Sequence, residues 1–561
     1  MLSELWLTIS PTVTLILVQE RTLNHLGVGY TPNWFLFRQV WRFDMNSGNG
    51  RSDGDVITRR HILQTFAAFG GSSLMMGAMD SWGLMGASVA RRPRLQGRPL
   101  GTRVIVLGAG ISGLTVGYEL GELGYDYQVL EARDWVGGLC WTITRGASHT
   151  EIDGESQVCQ FDEGQYLNGG AWRLPHNDVG VLGYCAELGV PLEIFVDATD
   201  ANYFFEEDQA LGPLSGVKVR LREVKADLWG ETSELLAKAM DHGEIDVPLS
   251  AEDKERLVSF LVRAGYLDSE DYVYRPPTSR GSEDRHDLAV LLRTGFGARV
   301  RSLYAGTGGP APVFQAVGGM QQIPLAFQRA MGERITLRAE VESVRQGPDG
   351  VRVRYLDTRT RERFEEMADY CVCCLPMAVL QRLDIDLSSA MKEAVRDTGH
   401  STAAKMGLQM RRRFWEEDDG IFGGHLWSRS LQLGEFSYPS NGYFSPKGIL
   451  LGFYGDGNLT GLAEQTVSAR IEHVLARSSR VHPQIRDEFD SAYAVWWDKV
   501  PYSLGAYGRR PADSLLKELS KPDGRVYIGC AGASGRPAWL EGGIQAAWRT
   551  LELLHDRAMR A

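Results

Sequence analysis

A short β-rich run, Val104 to Leu107, leads directly into Gly108-x-Gly110-x-x-Gly113. That spacing suits phosphate binding: Gly108 allows a tight turn, Gly110 lets a pyrophosphate approach the backbone, and Gly113 lets the next helix pack on the strand. The helix opening at Ile111 and Ser112 would turn free amides and a partial positive charge toward the anion. A second strand, Gln128 to Glu131, ends on an acid about twenty residues after the glycines, in reach of a ribose hydroxyl and unfavourable to a 2′-phosphate. The other residue that could do chemistry is Arg173, in GGAWRLPH (Gly169 to His176), a fixed positive charge beside Trp172 with no acid in the stretch. An unpaired buried guanidinium is costly. Arg173 therefore points to water, pairs with a distant acid or a phosphate, or meets an anion that comes to it.

The chain that must position these groups has 561 residues, more than one hydrophobic core usually supports, so two or three domains are expected. Its 43% hydrophobic and 23% charged residues are those of a globular protein. A net charge of −11, with Lys and Arg dispersed, argues against a nucleic-acid partner. Three of the seven cysteines fall in Cys371-Val372-Cys373-Cys374, which reads as a buried strand of packing thiols. Neither a disulfide framework nor a metal site is expected.

The region 1–90 reads as an N-terminal extension. No stretch reaches the roughly 20 apolar residues of a membrane helix, so stable membrane insertion is not expected. Residues before Met45 show no clear periodicity, and Met45 opens a polar, Gly/Ser-rich lead-in. Arg59-Arg60, Ile62-Leu63-Gln64 and the small-residue run to Met79 resemble a twin-arginine export signal, with Ser88-Val89-Ala90 as a cleavage site. A working signal would place the protein in the periplasm or outside the cell. A chance Arg-Arg pair would leave it in the cytoplasm. Either way the working protein is expected to begin near Arg91.

Past Glu131, Ala132 and Arg133 lies Gly137-Gly138, in ARDWVGGL. This second glycine pair resembles the FAD signature of the flavin amine oxidase family, with Leu139 where the family usually has arginine. Further stretches resemble that family in order. Phe161-Asp162-Glu163-Gly164 leads to GGAWRLP (Gly170, Ala171, Trp172, Arg173), similar to the family's GAMRxP. VGGMQQIP follows at 317–324, then Ala339 to Val344, where Val341 corresponds to the valine whose backbone contacts adenine. Ala404-Lys405-Met406 matches the strand bearing the lysine near the flavin. RRFWEEDDGIFGG and FSYPS resemble the bacterial L-amino acid oxidase branch, and Trp539-Leu540-Glu541-Gly542 matches its WxEG. The family's AGE before that tryptophan is here Gly529-Cys530-Ala531-Gly532, without the glutamate.

The resemblance implies an α/β (mixed α+β) fold, with a Rossmann-like FAD-binding domain of the glutathione-reductase type, a mixed-sheet substrate domain and a helical insertion. The expected FAD-binding segments are 101–150, 312–400 and 520–561, with a substrate-binding domain from 151–213 and 401–519 and a helical domain at 214–311. It implies non-covalent FAD and oxidative deamination of an L-amino acid by O2, giving the 2-oxo acid, ammonia and hydrogen peroxide. By the same resemblance Arg173 binds the substrate carboxylate, Tyr438 helps hold it, Trp539 and Trp172 wall the substrate, and Lys405 holds a water near flavin N5. Glu541 or a backbone amide would compensate for the missing glutamate at Ala531. An amino acid 2-monooxygenase shares these motifs, and an amine or polyamine oxidase would have no use for Arg173. Oligomeric state is left open, since members often form dimers.

Overall fold

The computed structural model describes residues 3–10, 13–19, 91–99, 101–243, 249–282, 284–296, 313–456 and 461–560. The chain divides into two units, Met1–Ser88 and Val89–Ala561. In the first, Ser3–Ser10 pairs antiparallel with Val13–Gln19. This hairpin was not legible as a periodicity before Met45. The paired arginines, their apolar run and Ser88-Val89-Ala90 lie outside the described residues.

The second unit is organised around a five-stranded parallel sheet. Its order is Ile335–Thr336, Asp126–Leu130, Arg103–Leu107, Tyr370–Cys373, Val526–Ile528. Each strand comes from one of the three expected FAD-binding segments. The central strand shows why such strands read as unbroken apolar runs. Val104 and Val106 pack on one face with the helices Ile111–Glu122, Gln322–Met331 and Leu540–Ala558. Ile105 and Leu107 pack on the other face, under the antiparallel strands Ala339–Gly347 and Gly350–Asp357. Cys371 and Cys373 join that second face as buried free thiols, as a packing role requires.

A second five-stranded sheet is antiparallel, in the order His425–Leu426, Phe436–Ser437, Gly448–Asp456, Ala403–Met410, Phe489–Trp496. Ala403–Met410 lies inside it and is buried throughout. Its two-residue alternation sends Ala404, Met406 and Leu408 into one apolar core, and Ala403 into another. Lys405 shares the Ala403 face. A third element is helical, with Leu221–Asp241, Ala251–Ala264 and Leu288–Thr294. Ser250 caps its second helix by accepting from the amide of Asp253.

Candidate active site

At the ends of the parallel strands lies a cavity of about 440 Å³. Gly108, Gly110, Ile111 and Ser112 form its floor, Glu131, Ala132, Arg133 and Val341 one end, and Gly137 and Gly138 a side. Gly170, Ala171, Trp172, Arg173, Lys405, Cys530, Trp539 and Leu540 line the other end. Eighteen of the residues singled out from the sequence therefore converge on one space.

The floor fits a dinucleotide. Gly110 precedes the helix Ile111–Glu122, whose N-terminus carries neither a side-chain cap nor an acid in its first turn, leaving its amides for an anion. A β-carbon on Gly113 would lie 1.9 Å from the Gly108 carbonyl, so Gly113 serves strand–helix packing and does not line the cavity. Gly137, at φ 128°, donates to the Ala109 carbonyl at 2.8 Å and brings the glycine pair against Gly110. A β-carbon on Gly170 would meet the Leu139 carbonyl at 1.8 Å. Glu131 is buried, accepting from the amides of Ala109 (2.8 Å) and Arg133 (3.0 Å), which fixes its carboxylate at the ribose end. The Arg133 guanidinium turns to the Pro501 carbonyl and Ser503 Oγ. Gly529 packs against Val372 and Cys374 outside the lining. Burial raises the Cys530 thiol above its ordinary pKa, as for a packing thiol.

At the other end Lys405 Nζ donates to the Gly170 carbonyl at 2.6 Å and sits 4.9 Å above the Trp172 ring and 4.6 Å above Tyr454. Burial lowers its pKa to about 7, with Glu435 opposing that shift and Arg173 adding to it. Tyr454, which the sequence reading did not single out, stands in register opposite Lys405 on the neighbouring strand. Strand pairing is the signal that exposes it.

Of the alternatives open for Arg173, the structure shows pairing with distant acids: its Nη1 donates to Asp197 Oδ1 at 2.8 Å and lies 4.0 Å from Glu435 Oε2, while the roles expected of Tyr438 and Glu541 need correction. Both acids are distant in sequence, brought close by the sheets, so GGAWRLPH alone conceals them. The contact uses one edge of a guanidinium that also stacks 5.0 Å from the Trp172 ring. Tyr438 is buried outside the lining of that cavity, its hydroxyl bonded to His482 Nε2 at 2.7 Å, and borders instead a separate cavity of about 50 Å³ that it shares with Trp172 and Ser437. With Phe436 it faces the apolar core, whereas Ser437 faces the other way and its Oγ meets His425 Nδ1. His425 Nε2 in turn reaches Asp197 Oδ1 at 3.3 Å. Glu541 also lies outside the lining, wholly buried, accepting at 3.0 Å from the amides of both Gly180 and Val181. It caps a neighbouring helix and does not replace the glutamate missing at Ala531.

The model of the family described as flavin containing amine oxidoreductase matches residues 111–552. The chain belongs to this family. Its cofactor is FAD, held non-covalently, and the cavity fits it by the glycine floor, the anchored Glu131 and the uncapped helix N-terminus. This flavin amine oxidoreductase is 25% identical over 468 residues to an L-amino-acid oxidase of Echis ocellatus, covering 79% of this chain and 87% of that protein. A similar enzyme of Pseudechis australis is 23% identical over 471 residues, covering 79% and 85%. Among solved structures, wild-type putrescine oxidase bound to putrescine superposes with a TM-score of 0.54 at 20% identity, covering 82% of this chain and 99% of that one. That likeness concerns the fold. Among the described residues no helix is long and apolar enough to cross a membrane, and no three His, Cys, Asp or Glu side chains group as metal ligands.

Proposed function

We propose that this flavin amine oxidoreductase oxidises an L-amino acid to the 2-oxo acid and ammonia, with O2 reduced to hydrogen peroxide. The observation that carries the reading is Arg173 at the cavity wall, with Nη1 committed to Asp197 and its remaining donors on the Nε–Nη2 side available for a bidentate carboxylate. Asp197 then orients the fork and does not consume it. FAD bound in this cavity would supply the redox chemistry, a two-electron acceptor for the Cα–H bond that O2 reoxidises.

The chain's own groups position and polarise. Arg173 fixes the carboxylate, and the rings of Trp172, Tyr454 and Trp539 exclude water around Cα and its amine. Burial lowers the Lys405 pKa to about 7, so at neutral pH the lysine beside the substrate amine is only partly charged. In its protonated form Lys405 places a cation at the dry end of the cavity, where negative charge develops on reduced oxygen. The imino acid formed hydrolyses in water.

The Arg173–Asp197 pair supports a second reading, an amine oxidase, in which the guanidinium is a neutralised structural group and the substrate lacks a carboxylate. The putrescine oxidase that shares the fold is named for such a substrate. Anaerobic bleaching of the flavin absorbance by L-amino acids, D-enantiomers and simple amines separates the two. Bleaching by L-amino acids alone supports the first reading, and bleaching by amines alone overturns it. Analysis of the product as 2-oxo acid or amide distinguishes oxidase from 2-monooxygenase.

A further inference from the structure

Two pieces of chain bracket the substrate end of the cavity. One is the stretch from Arg173 through Leu174–Pro175 to the helix Val179–Glu187. The other runs from Ser534 to Trp539 and into the helix Leu540–Ala558. Buried polar groups tie them together. Glu541 is wholly buried, and its Oε2 takes the amides of Gly180 and Val181 at 3.0 Å each, completing a helix N-terminus on the opposite piece. Its Oε1 accepts from Gln545 Nε2 at 3.2 Å. Asp178, also wholly buried, accepts from Arg536 Nη2 at 2.7 Å, and its own amide donates to the Pro175 carbonyl at 2.9 Å. Arg536 lies 5.9 Å from the Trp539 ring, and its carbonyl accepts from the Trp539 amide at 3.1 Å.

The glycines at this junction show that the close approach is built in. A β-carbon on Gly180 would stand 2.9 Å from Glu541 Oε2, and one on Gly542 would stand 2.0 Å from the Arg536 carbonyl. Gly180 removes the atom that would separate the two pieces, and Gly542 lets the second piece turn tightly from Arg536 into its helix. Moving Glu541 would leave a buried carboxylate and two helix amides without partners, so the junction has one favourable spacing.

We infer that Glu541 is a positioning residue: with Asp178 and Arg536 it sets the distance between Arg173, which takes the carboxylate, and Trp539, which walls the substrate. The inference rests on the carboxylate role proposed for Arg173. It gives the buried glutamate of the WxEG turn a mechanical role toward substrate and none toward the cofactor. Misplacement by about 1 Å costs on the order of a hundredfold in such reactions, so loss of the tie is felt in substrate placement first.

The test uses FAD-loaded enzyme and benzoate, a carboxylate that is not oxidised, titrated by the perturbation of the flavin spectrum. Glu541→Ala retains FAD, weakens benzoate about tenfold or more, and slows bleaching at saturating L-amino acid by about 10–100-fold. Glu541→Gln, whose amide oxygen can take the place of Oε2, restores both to within about threefold. Arg536→Met cuts the tie from its partly exposed side and serves as the second variant; it weakens benzoate in the same direction. Loss of FAD with an unchanged benzoate affinity in the loaded fraction overturns the inference in favour of a cofactor contact. A lowered Tm with unchanged benzoate affinity overturns it in favour of a purely structural role. Arg173→Met is the control. If it leaves benzoate affinity unchanged, the carboxylate reading itself fails; if it weakens benzoate while the Glu541 and Arg536 variants do not, the positioning role alone fails.

Discussion

Replacing Arg173 by Met removes one charge and five donors from a site that also holds Asp197 at 2.8 Å and Glu435 at 4.0 Å. Two costs follow for a substrate carboxylate. The first is the lost charge-assisted pair, about 1.5–3 kcal/mol. The second is repulsion from Asp197 and Glu435, which lose the neighbouring Arg173 charge. Unit charges 4 Å apart interact by about 4 kcal/mol at an effective dielectric of 20. The side chains of Arg173, Asp197 and Glu435 are 25%, 27% and 33% exposed, so solvent screening reduces that repulsion to about 1–2 kcal/mol. The sum is about 2.5–5 kcal/mol, a fall of roughly 10²–10⁴ in kcat/KM for an L-amino acid, expressed mainly in KM. Adding Asp197→Asn removes part of the repulsion, so the double variant recovers about tenfold over Arg173→Met. An amine without a carboxylate, such as phenethylamine, gains from the extra negative charge or is unaffected. Anaerobic stopped-flow bleaching, with rate and half-saturation fitted separately, supplies these quantities. A fall of less than threefold in kcat/KM for amino acids, or an equal fall for the amine, would refute the reasoning.

Lys405→Met slows reoxidation of the reduced enzyme by about 10²–10³-fold if its charge assists oxygen reduction; in the wild type, because the lysine titrates at about 7, the reoxidation rate falls as pH rises through neutrality, and a flat profile in rapid-mixing experiments would remove the role. The same depressed value makes a stability prediction for the FAD-free protein. Between about 7 and 10.5 the unfolded lysine holds a proton that the folded one has lost, so stability increases with pH across that window, by up to about 4–5 kcal/mol in all, of which urea unfolding at pH 7 and 9 reads about 2–3 kcal/mol. Tyr438→Phe leaves His482 Nε2 without its partner and costs about 1–3 kcal/mol in stability, while KM for amino acids changes less than twofold; a large rise in KM would return Tyr438 to the substrate.

How much of this was legible in the sequence depended on the range of the forces involved. The strand, the glycines, the helix start and Glu131 form one local unit, each residue needed by the turn that holds its neighbours, so their spacing announced the floor of the cavity. Lys405 was legible for a related reason, since a lone cation among Ala403, Ala404, Met406 and Leu408 leaves a buried strand one charged face. The acids were not. Asp197 follows Leu192–Phe195, which reaches Arg173 only through the intervening strand Val313–Ala316, and no local pattern encodes that sheet order. Glu541 was misplaced because motif position fixes where a residue stands in the chain but not which neighbour its side chain serves. Its partners, Gly180 and Val181, lie about 360 residues earlier.

Tyr438 shows the limit most sharply. FSYPS places an aromatic hydroxyl near the substrate by resemblance, yet in an extended strand a shift of one residue exchanges core for cavity. Phe436 and Tyr438 are large and join the apolar core with Phe414, Trp415 and Leu450, so burial decides their face. Ser437 then faces the other side by alternation, where its hydroxyl holds His425, and His425 holds the Asp197 oxygen that also takes Arg173. The contribution of this strand to the substrate end therefore passes through a small hydroxyl and an imidazole to Arg173. The orientation of the Arg173 fork thus depends on His425 as well as on Asp197, in a chain that no single motif contains.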